Sequence, residues 1–103
     1  MAFLDGFPIT EEHTLVIPKR HVESAFDLPP DELNDLFAVV GRVRALLKKK
    51  YQPDALNIGI NDGAAAGQTV PHAHVHVIPR RKGDVADPRG GVRWIIPGKA
   101  KYW

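Results

Sequence analysis

The chain has 103 residues, enough for one small domain with a single core and too few for two. Hydrophobic residues make up 44% and charged residues 25%, ordinary globular values that argue against a disordered chain. Fourteen Lys and Arg are scattered among twelve Asp and Glu, and no apolar run reaches membrane length. The lack of cysteine excludes disulfides and thiolate chemistry and fits a reducing compartment. We therefore expect one cytoplasmic domain over residues 1–103, with no nucleic-acid or membrane partner.

The first elements predicted along the chain are a strand and a helix. The β-branched run Thr14 to Ile17 predicts a strand that Pro18 stops, and Val22 to Leu28 is too short for more than a helical turn. Two prolines followed by two acids, Pro29 to Glu32, are typical of a helix start. This helix ends in the lysine run Lys48 to Lys50. Its apolar residues follow the spacing of an amphipathic helix, at Leu33, Leu36, Phe37, Val40, Val43 and Leu47.

The second half of the chain predicts two more strands and an irregular tail. Apolar residues alternate with Asn or Gly over Leu56 to Ile60, which is the period of a half-buried strand. A loop of small residues, 61–69, precedes a strand-like run from Ala73 to Ile78, which Pro79 stops. The tail is rich in Gly, Pro and Asp, and Val92 to Ile96 could form a last short strand. A helix inserted between such strands predicts an α+β fold rather than a doubly wound one.

Three of the five histidines, His72, His74 and His76, occupy alternate positions. Alternate side chains of an extended strand share a face, so the three imidazoles line one side while the apolar residues between them pack on the other. A row of imidazoles could bind a transition metal. Alternatively, one imidazole could act as a nucleophile while the others meet the charge of a phosphate.

The loop ahead of the histidines favours phosphate over metal. Gly67, Gln68 and Thr69 offer backbone donors, an amide and a hydroxyl, which suit an anion. A metal site would need a thiolate or carboxylate nearby, but cysteine is absent and the nearest acid, Asp62, lies ten residues before His72. Acids distant in sequence could still complete a metal site, so both hypotheses stay open at this point.

These residues resemble the signature of the histidine triad (HIT) superfamily. The resemblance rests on Asn61 to Arg80, which reads Gly-Gln-Thr-Val and then His-x-His-x-His, and on Phe3 to Asp5 and His13 to His21. Residues Pro79 to Asp84 resemble the fragile histidine triad and bacterial diadenosine polyphosphate hydrolase branch. The resemblance implies an antiparallel sheet of about five strands with one long and one short helix, and a homodimer with one continuous sheet. Because family members usually carry further residues before the Phe-Leu-Asp segment, we expect the domain to lack that N-terminal segment.

The resemblance also implies a reaction. Family members split nucleotides at the α-phosphorus through a nucleotidyl-histidine intermediate, so we expect a hydrolase or transferase acting on dinucleoside polyphosphates or related adenosine phosphates. His74 matches the nucleophile, and His76 matches the residue that contacts the phosphate oxygens or the leaving group. His72 matches the residue that orients the nucleophile, and His13 a partner histidine near the phosphates. The other matches are phosphate contacts at Asn61, Gly67, Gln68 and Thr69, a ribose contact at Asp5, and a base wall at Phe3, Leu4 and Leu15.

Two rival hypotheses remain from the sequence. One is a nucleotide-binding module with feeble catalysis, which would follow if lack of the N-terminal segment spoils substrate placement. The other is a metal-binding β protein. The family resemblance implies no metal or cofactor bound by the protein, although Mg²⁺ could arrive with a polyphosphate substrate. Trp94, Tyr102 and Trp103 are expected to pack or to form an interface rather than to contact substrate.

Overall fold

A computed structural model describes all 103 residues and has one long helix against a four-stranded antiparallel sheet. The order across the sheet is β1-β2-β4-β3, and the helix α1 follows β2 along the chain. The predicted α+β class is confirmed. The elements are β1 (Ala2–Leu4), β2 (Thr14–Val16), α1 (Pro30–Tyr51), β3 (Ala55–Gly59) and β4 (Val75–Arg80).

Helix α1 has the ends that the sequence predicts. Pro30 occupies the first turn, where its missing N–H costs no hydrogen bond. Acids lie in the first turn and Lys48 to Lys50 in the last, so both ends complement the helix dipole. The chain leaves the helix through Gln52, which has a left-handed φ of 51°, and its N–H donates to the carbonyl oxygen of Lys48. Pro53 follows and prevents the helix from continuing.

One face of the sheet packs against α1 and forms the core. Most of the predicted apolar stripe of the helix is buried or half-buried, but Phe37 is exposed, which corrects the prediction for that position. Phe37 follows Leu36 directly, so it points about 100° around the helix from the residue that meets the sheet. The buried residues that the helix and the sheet contribute are Leu36, Val40, Leu47, Val16, Val75 and Val77.

Strand β4 shows the alternation that the histidine spacing predicts. Val75, Val77 and Pro79 are buried, and the residues between them are half-buried on the other side. The strand begins at Val75 and continues to Arg80, so the prediction that Pro79 stops it is wrong. Pro79 pairs with Leu56 of β3, whereas β2 begins opposite Val77 and leaves no strand beside Pro79 on its other edge. A residue without an N–H is tolerated where no ladder partner needs one.

The sheet has four strands rather than about five, and the predicted last strand is not extended. Gly91–Ile95 forms a 3₁₀ segment, followed by a shorter one at Pro97–Lys99. Gly90 and Gly91 have φ values of 95° and 48°, which turn the chain at the point where a strand would have to start. The expected short helix is a single 3₁₀ turn, Ala25–Asp27, whose N-terminal N–H is capped by Ser24.

The sheet register positions the histidines on the face that α1 does not cover. Phe3 pairs with Leu15, Leu15 pairs with His76, and His76 pairs with Gly59, so these four residues form one row across all four strands. Residues in such a row share a face of the sheet. No helix of the chain is both long enough and apolar enough to span a membrane.

The core assignment predicts a difference between two leucines of the same helix. Leu36→Ala is expected to lower the free energy of unfolding by about 2–5 kcal/mol, because it leaves a cavity against the sheet. Leu46→Ala is expected to change it by less than about 0.5 kcal/mol, since Leu46 is 61% exposed and Leu36 only 4%. Urea unfolding followed by circular dichroism measures both. Equal losses in the two variants would contradict the packing described here.

Candidate active site

The site is built where β2 and β4 lie side by side. His76 belongs to β4, His74 precedes that strand by one residue, and His13 precedes β2 by one residue. Antiparallel pairing of the two strands brings His13 and His76 together across 63 positions of sequence, with Nε2 of His13 2.9 Å from Nδ1 of His76. The rings of His74 and His76 meet edge to face at 5.1 Å between centroids. His72 contacts His21 instead, with centroids 4.7 Å apart.

A backbone carbonyl fixes the proton of His74. Nδ1 of His74 lies 2.8 Å from the carbonyl oxygen of His72. A carbonyl oxygen can only accept, so Nδ1 carries the hydrogen and donates it. The Nε2 atom of neutral His74 then holds a free lone pair. This is the tautomer that a nucleophilic imidazole needs, with the second nitrogen held by an acceptor.

In neutral His76 the hydrogen lies on the other ring nitrogen, Nε2. The backbone N–H of Ile9 donates to Nδ1 of His13 at 3.3 Å, so neutral His13 carries its hydrogen on Nε2. That Nε2–H donates to Nδ1 of His76. Neutral His76 therefore carries its own hydrogen on Nε2. A lone pair on His74 and a hydrogen-bond donor on His76 stand next to each other, although the two side chains are chemically the same.

Burial supports the neutral form of His76. Its pKa is lowered first by burial, and then by the neighbouring imidazoles of His74 and His13, while Asp5 acts in the opposite direction. Asp5 lies beside His13, the neighbour of His76, with a carboxylate oxygen 3.4 Å from Nε2 of His13. A lowered pKa keeps His76 uncharged near neutral pH, so the hydrogen-bond pattern described above is maintained.

The histidine pair, His74 and His76, lines two different cavities. The larger is a cleft of about 1330 Å³, and the smaller is a pocket of about 250 Å³. His76 lines the cleft and His74 lines the pocket. Of the predicted site residues, the cleft also contains Asp5, His13, Asn61 and Gly67, and the pocket contains Phe3, Leu15 and His72.

Three predicted contact residues lie elsewhere. Leu4 is exposed and lines neither cavity, because it alternates with Phe3 along β1 and points to the other side. Thr69 is exposed and also lies outside both cavities. The amide of Gln68 is engaged within the protein: its oxygen accepts from the N–H of Gly63, and its nitrogen donates to the carbonyl oxygens of Glu23 and Val70. Contacts of these three residues with a substrate remain predictions.

Sequence reasoning missed an ion pair in the cleft. Arg80 donates two hydrogen bonds to Asp84 and a third, at 2.6 Å, to the side-chain oxygen of Asn57. The hydrogen bond from Arg80 holds the pKa of the Asp84 carboxyl well below its usual range. The charge of Arg80 is thus already balanced within the protein. The i,i+4 spacing of Arg80 and Asp84 was visible in the sequence, but only the register of β3 and β4 brings Asn57 to them.

The hydrogen bonds also bear on the metal hypothesis. Asp5, His13 and His76 offer potential ligand atoms that all lie within 4.8 Å of one another. A metal on Nε2 of His13 would require a hydrogen on Nδ1, which would then face the N–H of Ile9. Two donors cannot share that hydrogen bond, so the surroundings of His13 oppose metal binding at this trio.

The lowered pKa of His76 predicts a loss of stability in acid. The unfolded chain binds a proton near the ordinary histidine pKa of about 6.5, whereas the folded chain binds it only at lower pH. Between these two values the unfolded state holds more protons, so stability falls as the pH falls. We expect the urea midpoint to decrease between about pH 7.5 and 5, and to decrease less in His76→Gln. The same pH dependence in both proteins would show that His76 has no part in it.

Comparison with known proteins shows which family the chain resembles. The HIT domain model matches residues 1–83. The "Bis(5'-nucleosyl)-tetraphosphatase [asymmetrical]" of Schizosaccharomyces pombe is 51% identical over 86 residues, which cover 84% of this chain and 47% of that protein. The "Bifunctional bis(5'-adenosyl)-triphosphatase/adenylylsulfatase FHIT" of Arabidopsis thaliana is 42% identical over 77 residues, covering 75% of this chain and 43% of the relative.

A solved structure supports the fold as well. The crystal structure of a HIT family protein from Bacillus anthracis superposes with a TM-score of 0.76 at 42% identity, over 81% of this chain and 59% of that one. The chain spans about half the length of the curated relatives described above. The match over residues 1–83, together with the histidine pair on the open sheet face, establishes that this chain belongs to the HIT domain family.

Proposed function

We propose that this chain is a nucleotide hydrolase or nucleotidyl transferase whose nucleophile is Nε2 of His74. The observation that carries the proposal is the 2.8 Å hydrogen bond between Nδ1 of His74 and the carbonyl oxygen of His72. It leaves a lone pair on Nε2 without any need for a neighbouring base. The tetraphosphatase and triphosphatase names of the two curated relatives support a substrate with a phosphoric anhydride bond.

The reaction would take two displacements at one phosphorus. In the first, Nε2 of His74 forms a bond to the α-phosphorus, and the bond from phosphorus to the bridging oxygen breaks. The leaving group takes the electron pair and departs as a phosphate anion, while the Nε2–H of His76 stabilises the developing charge by a hydrogen bond. Nδ1 of His74 keeps its hydrogen and continues to donate to the His72 carbonyl. The product of this step is a nucleotidyl-histidine.

The second displacement would release the nucleotide. Water, or another acceptor, attacks the same phosphorus, and the bond to Nε2 of His74 breaks. The electron pair returns to Nε2, and the proton of the attacking water passes to solvent. His74 thus regains the tautomer that it had at the start, held by the same carbonyl. The protein's part is to position one lone pair and one donor in advance, so no side chain has to change its protonation state.

The two cavities suggest which parts of the substrate lie where. The pocket beside His74 contains the apolar side chains of Phe3 and Leu15, which suit the base of the nucleotide that stays on the enzyme. The cleft beside His76 contains Asn61, the backbone of Gly67 and the carboxylate of Asp5. We assign the phosphates to contacts with Asn61 and Gly67 in this cleft. We assign the ribose hydroxyls to a contact with the carboxylate of Asp5.

A second candidate function, nucleotide binding with feeble turnover, is favoured by the state of Arg80. This arginine is the one guanidinium that lines the cleft, and Asp84 and Asn57 already hold it. A polyphosphate would therefore find no free cation from the protein in the cleft. We propose that Mg²⁺ bound to the substrate supplies that charge, and that the protein itself holds no cofactor. Turnover assays with Mg²⁺ and with a chelator separate the hydrolase from the binding module. Turnover that depends on Mg²⁺ supports the hydrolase, and feeble turnover under both conditions supports the binding module.

Replacement of the nucleophile gives the most direct test. His74→Ala is expected to lower kcat for a dinucleoside tetraphosphate by at least about 10³-fold, because the covalent step is lost. Affinity for the uncleaved nucleotide should stay close to that of the wild type. The control is His21→Ala, because His21 is exposed and hydrogen-bonds to none of the site histidines His13, His72, His74 and His76. Turnover near the wild-type rate in His74→Ala would exclude the covalent mechanism.

We also propose that two chains associate as a homodimer. Tyr102 and Trp103 remain exposed at the end of the chain, and aromatic side chains favour interfaces. The outer strands β1 and β3 each leave one sheet edge without a partner. Sedimentation velocity at tens of micromolar (about the range in which a weak two-fold contact is visible) should give a dimer. A single monomer peak at that concentration would contradict the proposal.

A further inference from the structure

The segment beyond residue 83 lies outside the matched domain, yet it forms one wall of the cleft. Val92, Trp94, Ile95 and Ile96 line the same cavity as His13 and His76, so Trp94 faces the cleft, although the sequence predicts only packing or an interface for it. We infer that this wall, formed by the side chains of Val92, Trp94, Ile95 and Ile96, binds the nucleobase at the far end of the leaving group and so selects substrates that carry a second nucleoside. The inference rests on the proposed function, because it assigns a position to the group that His74 displaces.

In-line displacement at phosphorus places the leaving group in the cleft, on the His76 side of the histidine pair. In displacement at phosphorus, the attacking and leaving atoms lie roughly in line on opposite sides. His74 lines the pocket, and His76 lines the cleft. A group that moves away from His74 and accepts a hydrogen bond from His76 therefore enters the cleft. The cleft measures about 1330 Å³, more than the roughly 300–1,000 Å³ of most small-molecule sites, so it has room for more than phosphates.

The chemistry of the wall favours an uncharged ring. Ile95 is 80% exposed, and the three other side chains of the wall are exposed and apolar too. None of the four carries a charge, while the nearby carboxylate of Asp84 is neutralised by Arg80. Apolar side chains offer neither a charge nor a hydrogen bond to phosphate oxygens. A nucleobase, in contrast, presents a flat face that stacks on an indole and packs against aliphatic side chains.

The wall is held in place before any ligand binds. The indole N–H of Trp94 donates to the carbonyl oxygen of Arg89 at 2.8 Å. Arg93 donates to the carbonyl oxygens of Lys99 and Ala100, which ties the 3₁₀ segment to the end of the chain. Gly90, with a φ of 95°, brings its backbone so close that an added Cβ would lie 3.2 Å from Nε1 of Trp94. Such prior fixation lowers the entropy cost of binding a ring.

Two substrates that differ only in the second nucleoside test the inference. Diadenosine tetraphosphate and adenosine 5'-tetraphosphate share the attacked nucleotide and the number of phosphates. We expect Trp94→Ala and Ile95→Ser to raise KM for diadenosine tetraphosphate about tenfold, the loss expected for one stacked base. The kcat/KM for adenosine tetraphosphate should stay within about twofold. Phe37→Ala is the control, because Phe37 is an exposed aromatic residue on α1 that does not line the cleft.

Several other results would overturn the inference. Equal losses for both substrates, or none for either, would show that the wall does not recognise the second nucleoside. A change from dimer to monomer in Ile95→Ser, with the substrate preference kept, would identify the wall as a subunit interface. If the wild type turns over neither substrate, the proposed function fails. The inference is then decided by calorimetry on the two intact compounds: a preference for diadenosine tetraphosphate that Ile95→Ser removes supports it, and equal affinities contradict it.

Discussion

The hydrogen bond from Nδ1 of His74 to the carbonyl oxygen of His72 is the contact on which the rest of the site depends. It joins a side chain to the backbone two residues earlier, so the ring can make it only if the chain before β4 keeps one conformation. That segment is held by the N–H of Ala73, which donates to the carbonyl oxygen of Val22, and by Nε2 of His72, which lies 3.1 Å from the carbonyl oxygen of Pro18. The backbone before β4 thus decides which ring nitrogen of His74 carries the hydrogen.

The site obtains two different functions from one type of side chain. His74 and His76 are neighbours on the same face, but one donates to a carbonyl and the other accepts from His13. His13 can take this part because it is almost fully buried, with 3% of its surface exposed, and because the N–H of Ile9 holds its other nitrogen. A backbone amide in the loop before β2 thereby determines, through His13, which nitrogen of His76 carries the hydrogen.

The sequence predicts the elements whose signals are local. Paired prolines and a lysine run mark the ends of α1, and the alternate histidines indicate which side of β4 is open. The behaviour of Pro79 could not be predicted, because it depends on where the neighbouring strand β2 begins. The same limit applies to Gln68, whose amide bonds to Glu23, 45 positions away. The tail carries no periodicity, so its return to the cleft follows from glycine conformations and long-range packing.

The position of Gln68 has a consequence for how the loop before the histidines opens. One side chain joins the N–H of Gly63, the carbonyl oxygen of Glu23 and the carbonyl oxygen of Val70. The bond to Glu23 ties the loop to the segment ahead of α1, and the N–H of Ala73 donates to Val22 of the same segment, so the loop cannot leave without losing both. Local opening is then a single cooperative event rather than gradual fraying, and amide hydrogens on both segments should exchange with solvent at a common free energy. One glutamine makes two distant stretches of chain a single unit of local unfolding.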